Sequence, residues 1–367
     1  MSDLVHLSDI RQRPRVYRAF ERHRHTSVHW LVECFAEALG VFLYSRVGTL
    51  ARTWVGSNQS CFEGRNLTDA SSSGVGSQAL YVLGNILKVE GASSILQIGL
   101  AYACGILLAI TICSATSGGE NPQGHFNPAV TITQLVFHKF PPLKGLRYIT
   151  AQVLGGYIAC LLVYLQYKTL ILASEAALLE AGPGVSAATF YTPNGPGGIF
   201  ALSLLPGSNL GRAWVNEFVC DFVLGVTIFA SLDPTNTLIP PSFGPVLISL
   251  AYAVAIWSFS ANGLAANAAR DVGGRLVALT VWGLPAGGGS YAAIAALTNI
   301  PATLLGCVAY ELMLSDSDRV IPAAHLEVLN AHKNHRRLRQ QQEQEHGHHS
   351  APTSLDEKGH VGEVERV

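Results

Sequence analysis

The sequence predicts an all-α membrane protein with six transmembrane helices and two re-entrant half-helices, arranged as two inverted repeats. First, the 367 residues are 49% hydrophobic and only 13% charged, whereas soluble domains carry roughly a quarter charged residues. Second, six apolar segments reach the length of about 20 residues that a membrane span requires. Third, two further apolar segments are too short to cross, and they occupy matching positions in the two halves.

The six long apolar segments occupy the middle of the chain, and the charged residues are concentrated toward its two ends. We therefore predict a cytoplasmic tail at 1–27, a membrane domain at 28–314 and a cytoplasmic, largely disordered tail at 315–367. Histidines in the second tail could hold a metal, but a solvated run is the simpler interpretation. The spans are predicted at about 28–48, 93–115, 148–173, 213–231, 245–260 and 289–314.

The two short apolar segments, 127–138 and 267–282, each follow a stretch that contains Gly or Ser. Such segments in corresponding positions of two halves indicate a transport site near the middle of the membrane. Irregular backbone is tolerated at that depth only where it is buried in protein or lines a watery cavity. We therefore expect each segment to enter the membrane and return on the same side.

The two halves of the chain also resemble each other in sequence. Glu37 begins Glu-Ala-Leu-Gly-Val-Phe in the first span, and Glu217 begins Glu-Phe-Val-Cys-Asp-Phe in the fourth. The short segments begin at Asn127 and Asn267, which are 267 − 127 = 140 residues apart. Three spans in each half is an odd number, so the second copy must be inverted in the membrane. Coincidence is the alternative, and the matching register speaks against it.

Basic residues predict which side of the membrane each loop faces. They cluster at 11–24, 139–147 and 333–339, and six spans place all three clusters on one side. By the positive-inside rule that side is the cytoplasm, which holds both termini. The external link between the first two spans contains Asn58-Gln-Ser and Asn66-Leu-Thr, which are acceptor patterns for N-glycosylation. We expect a multi-pass protein of the plasma membrane, with an internal membrane as the alternative.

Each short segment begins with an Asn that is expected to cap a half-helix. Asn is a favoured N-cap, and Pro suits the first helical position, where the first segment has it. A helix N-terminus presents unpaired N–H groups and a positive partial charge. The proposed cap residues are Asn127, Pro128 and Ala129 in the first half and Asn267, Ala268 and Ala269 in the second.

Asn-Pro-Ala at 127–129 and Asn-Ala-Ala-Arg-Asp at 267–271 resemble the paired boxes of the major intrinsic proteins, the aquaporins and aquaglyceroporins. The resemblance covers about 28–314, and the Thr-Pro-Asn-Gly-Pro-Gly-Gly run at 192–198 is similar to fungal members. It implies a homotetramer in the lipid bilayer that passes water, glycerol and other small neutral solutes. It implies no cofactor, metal, nucleic-acid partner or reacting residue, so the chain is not expected to be an enzyme.

The resemblance also implies a selectivity ring around Arg270. In the family this ring uses the residues three and twelve positions before the second Asn, which are Leu264 and Ala255 here, and one residue of the second span. We place that residue at Tyr102. Water-selective members typically have His where this chain has Ala255, so the ring is expected to be wide enough for glycerol. Asp271, directly after Arg270, also resembles the glycerol-conducting branch.

Polar residues near the boxes have two interpretations each. Charged residues inside spans are functional or paired, and the resemblance implies that Glu37 and Glu217 accept hydrogen bonds from the loop backbones. His125 is interpreted as a fixed partner at the pore mouth, with a pH sensor as the alternative. Arg270 is expected to face the pore, and the alternative is that it neutralises Asp271.

The sequence departs from the family pattern in two places. About five residues are inserted at 120–124, where they could gate the cytoplasmic mouth, although loop insertions are commonly tolerated. Ala268 replaces the usual Pro of the second box, which is expected to loosen the box but keep its cap. The alternatives to a glycerol-conducting channel are a water-selective aquaporin and a non-conducting or gated membrane scaffold of the same fold.

Overall fold

The computed structural model describes residues 10, 14–26, 28–46, 74–89, 93–117, 124–259 and 263–331. Asn58, Asn66, positions 120–123 of the insertion and the tail from 332 lie outside this part of the chain. Within it the regular elements are helical, and two 3₁₀ turns lie at Pro196–Ile199 and Leu284–Gly287. The helices with complete bounds are α1 (Arg15–Thr26), α2 (His29–Arg46), α3 (Gly74–Leu87), α4 (Ile95–Ser117), α5 (Pro128–Phe137), α6 (Pro142–Glu180), α7 (Pro183–Thr189), α8 (Leu210–Leu232), α9 (Gly244–Phe259), α10 (Ala268–Trp282), α11 (Tyr291–Leu297) and α12 (Asn299–Met313). Positions 323–331 are helical as well.

Each of the six predicted spans corresponds to a helix. By length and composition α4, α6, α8 and the continuous pair α11–α12 can each cross a membrane. The other two are α2, whose 18 residues include Glu33 and Glu37, and α9, which has 16 residues. The two short segments form α5 and α10, of 10 and 15 residues.

The third span, α6, is much longer than its hydrophobic segment predicts. Its 39 residues extend for about 58 Å at 1.5 Å per residue, roughly twice the thickness of a hydrocarbon core. Hydropathy marks only the apolar middle of this helix, because Lys144 and Glu175 stand near its two ends. The helix ends just before Gly182, whose φ of 124° is unfavourable for other residues.

Helix α3 lies in the link between the first two spans and was not predicted. Its buried residues include Ser77 and Leu80 and, along one stripe, Val75, Ala79, Val82 and Leu83, and it packs against α2, α4, α6 and the Pro196–Ile199 turn. These positions follow the i, i+4, i+7, i+8 pattern of an amphipathic helix. At 14 residues the helix is too short for a span, so a search for spans does not find it.

The packing of the half-helices follows the inverted repeat. The first half-helix, α5, packs against α12, and the second, α10, packs against α6, so each contacts the third span of the other half. Gly156 of α6 and Gly273 of α10 make the second of these contacts close. A Cβ atom on Gly156 would lie 2.6 Å from the carbonyl oxygen of Ala269. This contact fixes the first turn of α10 within the bundle.

Candidate functional site

The two half-helices meet at their N-termini, and an Asn side chain caps each one. The Asn127 Oδ1 atom accepts a hydrogen bond from the backbone N–H of Ala129 at 3.0 Å. The Asn267 Oδ1 atom accepts from Ala269 at 2.9 Å and from Arg270 at 3.4 Å. Both Asn residues have extended backbone, with φ of −149° and −153°, as N-caps require.

The same two Asn side chains join the half-helices to each other. The Asn127 Nδ2 atom donates to the carbonyl oxygen of Ala266 at 3.2 Å, and Asn267 Nδ2 donates to that of Phe126 at 2.8 Å. Phe126 and Ala266 have φ of 49° and 55°, a conformation that non-glycine residues rarely adopt. An amide NH₂ carries two donors, so each Asn retains one N–H beyond the bond to the opposite loop.

Two buried carboxylates hold the loops that precede the half-helices. The Glu37 Oε1 and Oε2 atoms accept from the backbone N–H groups of His125 and Phe126, both at 2.8 Å. Glu217 accepts in the same way from the two residues before Asn267, at 2.6 and 3.5 Å. Both glutamates therefore accept hydrogen bonds from the loop backbones that precede the capping Asn residues.

The side chain of His125 is held on several sides. Its Nδ1 atom lies 3.2 Å from the hydroxyl oxygen of Thr131. Its ring packs edge-on against those of Phe140 and Tyr148, with centroid distances of 4.8 and 5.4 Å. This geometry suits a fixed partner at the pore mouth.

Arg270 is buried, and neutral acceptors surround its guanidinium group. Its Nε atom donates to the Tyr102 hydroxyl at 3.2 Å, and Nη1 donates to the carbonyl oxygen of Phe200 at 3.3 Å. Its Nη2 atom donates to Gln78 Oε1 at 2.8 Å and to the carbonyl oxygen of Ile199 at 3.2 Å. None of these acceptors is charged, so the positive charge of Arg270 is not cancelled by them.

Asp271 is paired with a different arginine. Its Oδ1 atom lies 2.6 Å from Arg275 Nη2 and its Oδ2 atom 3.2 Å from Arg275 Nε, which is a two-point contact. Arg275 also donates to the carbonyl oxygens of Gly287 and Leu202. Arg275 therefore ties α10 to the segments at Leu202 and Gly287, and Asp271 makes its carboxylate contact with Arg275 and not with Arg270.

Two cavities adjoin each other within the bundle, and the names outer and inner are used for them as labels. The outer cavity, on the side of α3, has a volume of about 620 Å³ and includes Tyr102, Leu264 and Arg270 in its wall. The inner cavity has a volume of about 80 Å³ and is lined by His125, Phe126 and both capping Asn residues, among others. Tyr44 and Tyr252 line both cavities, with ring centroids 5.9 Å apart. They mark the waist between the two.

The structure brings three of the four expected ring residues to the outer cavity. Ala255 is buried in α9 but lines neither cavity, and its neighbours Tyr252 and Ile256 line the outer one. Sequence reasoning missed Tyr252, Tyr44 and Gln78. Tyr44 had a usable signal, because it lies two helical turns after Glu37 on the same helix.

Comparisons with known proteins agree with this geometry. Residues 24–285 match the family described as Major intrinsic protein. The chain is 53% identical over 342 residues to Aquaporin-3 of Laccaria bicolor, covering 93% of this chain and 94% of that protein. It is 32% identical over 246 residues to the glycerol uptake facilitator protein of Pseudomonas aeruginosa, covering 65% and 83%.

A solved structure has the same fold. The X-ray structure of the aquaglyceroporin from Plasmodium falciparum matches with a TM-score of 0.57 and 18% sequence identity. The match covers 78% of this chain and 97% of that one. At this identity the match bears on the fold alone, and it confirms the predicted fold class.

Proposed function

The chain belongs to the major intrinsic protein family, whose members are channels and not enzymes, and we propose that it conducts water and small neutral solutes such as glycerol. The resemblance inferred from the paired boxes is confirmed at the level of the family. The observation that carries the solute proposal is the wall of the outer cavity, where the charged Arg270 and the apolar Leu264 both line the passage.

The wall of the ring suits a polyol. Four of the five N–H groups of Arg270 have acceptors in the structure, which leaves one on Nη1 for a passing hydroxyl. Leu264 offers an apolar surface to the CH groups of the same solute. Tyr252 and Ile256, and not Ala255, border the passage on the side of α9.

Exclusion of ions would follow from the charges at the centre of the pore. Two helix N-termini point toward the waist, and each carries a positive partial charge. Arg270 adds a full positive charge without a carboxylate contact. An arginine together with half-helix dipoles excludes protons and cations in pores of this type, and neutral solutes do not meet this barrier.

We further propose a homotetramer in the lipid bilayer of the plasma membrane, with both termini in the cytoplasm and Asn58 and Asn66 available for glycosylation outside. The basic clusters of the sequence support the orientation. Large apolar side chains on the outer faces of the helices, such as Leu154, Val219 and Leu305, are 43–53% exposed. Lipid or a neighbouring subunit would cover such a surface.

The proposal is tested by stopped-flow light scattering on proteoliposomes that contain the purified protein. Wild type is expected to shrink quickly in an impermeant osmolyte and to re-swell quickly in glycerol. Leu264→Trp, which narrows the outer cavity beside Arg270, should lower both rates. The matched control is Leu250→Trp on α9, where the Leu side chain is 46% exposed, and it should leave both rates unchanged.

Other outcomes separate the alternatives. Fast water flux without glycerol entry would contradict the glycerol proposal and leave a water-selective aquaporin. Rates no higher than those of empty liposomes would contradict conduction and favour a gated or non-conducting scaffold.

A further inference from the structure

Gln78 contacts the ring arginine although it belongs to a helix outside the six spans. The Gln78 Oε1 atom accepts a hydrogen bond from Arg270 Nη2 at 2.8 Å, and Gln78 Nε2 donates to the carbonyl oxygen of Gly198 at 3.3 Å. The side-chain amide is therefore held at both ends, between the ring and the turn that precedes α8. Gln78 and Arg270 are 192 positions apart in the sequence.

The backbone that carries Gln78 is well anchored. Val75 and Ala79 have no exposed surface and Leu83 is 1% exposed. These side chains belong to the same buried core as residues of α4 and α6. A buried helix face restricts the movement of α3, so the amide of Gln78 occupies a defined place beside the guanidinium group.

The donors of Arg270 show what this amide contributes. Nη2 has two hydrogens, one bonded to Gln78 and the other to the carbonyl oxygen of Ile199. Loss of Gln78 would leave a buried charged donor without its acceptor, which is unfavourable. The Tyr102 hydroxyl and the two carbonyl oxygens would keep their bonds, and the freed Nη2 hydrogen would donate to the hydroxyl groups of solutes in the outer cavity, which Gln78 and Arg270 both line.

We propose that Gln78 is a positioning residue for Arg270 and that α3, through it, sets the solute selectivity of the ring. This inference rests on the proposed function, since selectivity requires a conducting pore. With Gln78 present, only one guanidinium N–H is offered to a passing solute. Without it a second N–H is exposed, binds polyols more tightly and slows their passage more than that of water.

The test compares variants of Gln78 that have nearly the same volume. Gln78→Met removes the acceptor and should lower the ratio of glycerol to water permeability in proteoliposomes by at least about ten-fold, the order expected for one hydrogen bond to a charged group. Gln78→Glu keeps an acceptor oxygen and should stay within about two-fold of wild type in this ratio, but its carboxylate beside Arg270 should offset the positive charge and raise the cation leak. Asn85→Leu, at an exposed position on the same helix, should match wild type.

A second readout does not depend on flux. In protein labelled with ¹⁵N-arginine, the Nε resonance of Arg270 is identified by its loss in Arg270→Lys. Gln78→Met should shift or broaden this resonance, and Gln78→Glu should leave it sharp. An unchanged ratio together with an unchanged resonance in Gln78→Met would overturn the inference, as would equal effects of the Met and Glu variants, which would indicate a packing role.

The two proposals fail in different ways. A wild type that conducts nothing would contradict the channel proposal and, with it, the selectivity part of this inference. The positioning of Arg270 by Gln78 would then be decided by the resonance alone.

Discussion

Arg270 is buried without a carboxylate within ion-pair distance among the described residues. An unpaired charge in a protein interior is unfavourable unless hydrogen bonds replace its hydration. Here a hydroxyl, an amide and two carbonyl oxygens do so, while the neighbouring Asp271 pairs with Arg275. A partner at close range would stabilise Arg270 but would also cancel the charge at the ring. In the proposed channel, this arrangement keeps the charge available for ion exclusion.

Removal of this charge should open the pore to cations. Arg270→Ala is expected to raise sodium and proton leak in proteoliposomes at least ten-fold, because the barrier at the ring is lost, and glycerol permeability should not fall. The control is Arg212→Ala, which removes the same charge from the exposed mouth of the outer cavity. A leak that is equal in the two variants would contradict an ion barrier at Arg270. A ten-fold rise in leak corresponds to a barrier for cations that is lower by about 1.4 kcal/mol, and the loss of one buried charge is expected to have at least this effect.

At the scale of elements, the cap of α10 can accept the proline that the family usually has. Position 268 is the first of the helix, and the preceding Asn267 is extended with φ of −153° and ψ of 114°, as a residue before Pro must be. Ala268→Pro should therefore raise the free energy of unfolding by about 0.4–1 kcal/mol, since it restricts the unfolded chain. Thermal unfolding in detergent measures the change.

The next position provides the matched control. The backbone N–H of Ala269 donates to Asn267 Oδ1 at 2.9 Å, and a Pro there would also force Ala268 out of its helical conformation. Ala269→Pro should lower the unfolding temperature and abolish flux. If both prolines destabilise equally, the difference between the two positions inferred from the cap geometry is wrong.

The turn between α7 and α8 provides acceptors for Arg270, and a glycine allows its shape. A Cβ atom on Gly198 would lie 2.0 Å from the carbonyl oxygen of Thr192, so the backbone of the turn would have to shift. The carbonyl oxygens of Ile199 and Phe200 would shift with it. Gly198→Ala should therefore cost about 1–3 kcal/mol and alter the glycerol-to-water ratio.

Gly184 offers a control for this substitution. It lies in the short helix α7, and no heavy atom would come within 4 Å of an added Cβ. Gly184→Ala should change the free energy of unfolding by less than about 1 kcal/mol, with the helix favoured by Ala. A glycerol-to-water ratio that stays constant in Gly198→Ala would mean that the turn does not influence the ring. A ratio that changes in Gly184→Ala would mean that the effect is not specific to the turn.

Local patterns explain which parts of the site could be predicted from the sequence. The Asn caps and Arg270 stand in short motifs, and the spans are marked by continuous apolar residues. Gln78 could not be found this way, because its contact with Arg270 depends on how α3 packs and no motif joins the two. The place of Ala255 was fixed by counting residues back from Asn267, which gives the helix correctly but does not determine which side of α9 faces the cavity.

At the scale of the whole molecule, neither half forms the pore alone. Asn127 donates to the loop of the second half and Asn267 to the loop of the first. Each half-helix also packs on the third span of the opposite half. The inverted repeat thus produces a centre in which each half supplies hydrogen-bond acceptors and a packing surface to the other.

The contact between the two halves is most sensitive to side-chain size where α6 crosses α10. A Cβ atom on Gly156 would lie 2.6 Å from the carbonyl oxygen of Ala269, which is backbone and belongs to the first turn of α10. That turn carries Arg270 and is capped by Asn267. Gly156→Ala should therefore cost about 1–3 kcal/mol through overpacking and lower both water and glycerol flux, since it displaces the second half-helix from the first.

Gly145 on the same helix is the matched control for this last prediction. An added Cβ would lie 2.9 Å from the end of the Leu135 side chain, which can rotate away. Gly145→Ala should keep the unfolding temperature and both fluxes near wild type, or raise stability by up to about 1 kcal/mol because Ala favours helix. If Gly156→Ala behaves in the same way, the close contact between the two halves does not limit the pore, and the centre must tolerate a wider separation than its hydrogen bonds suggest.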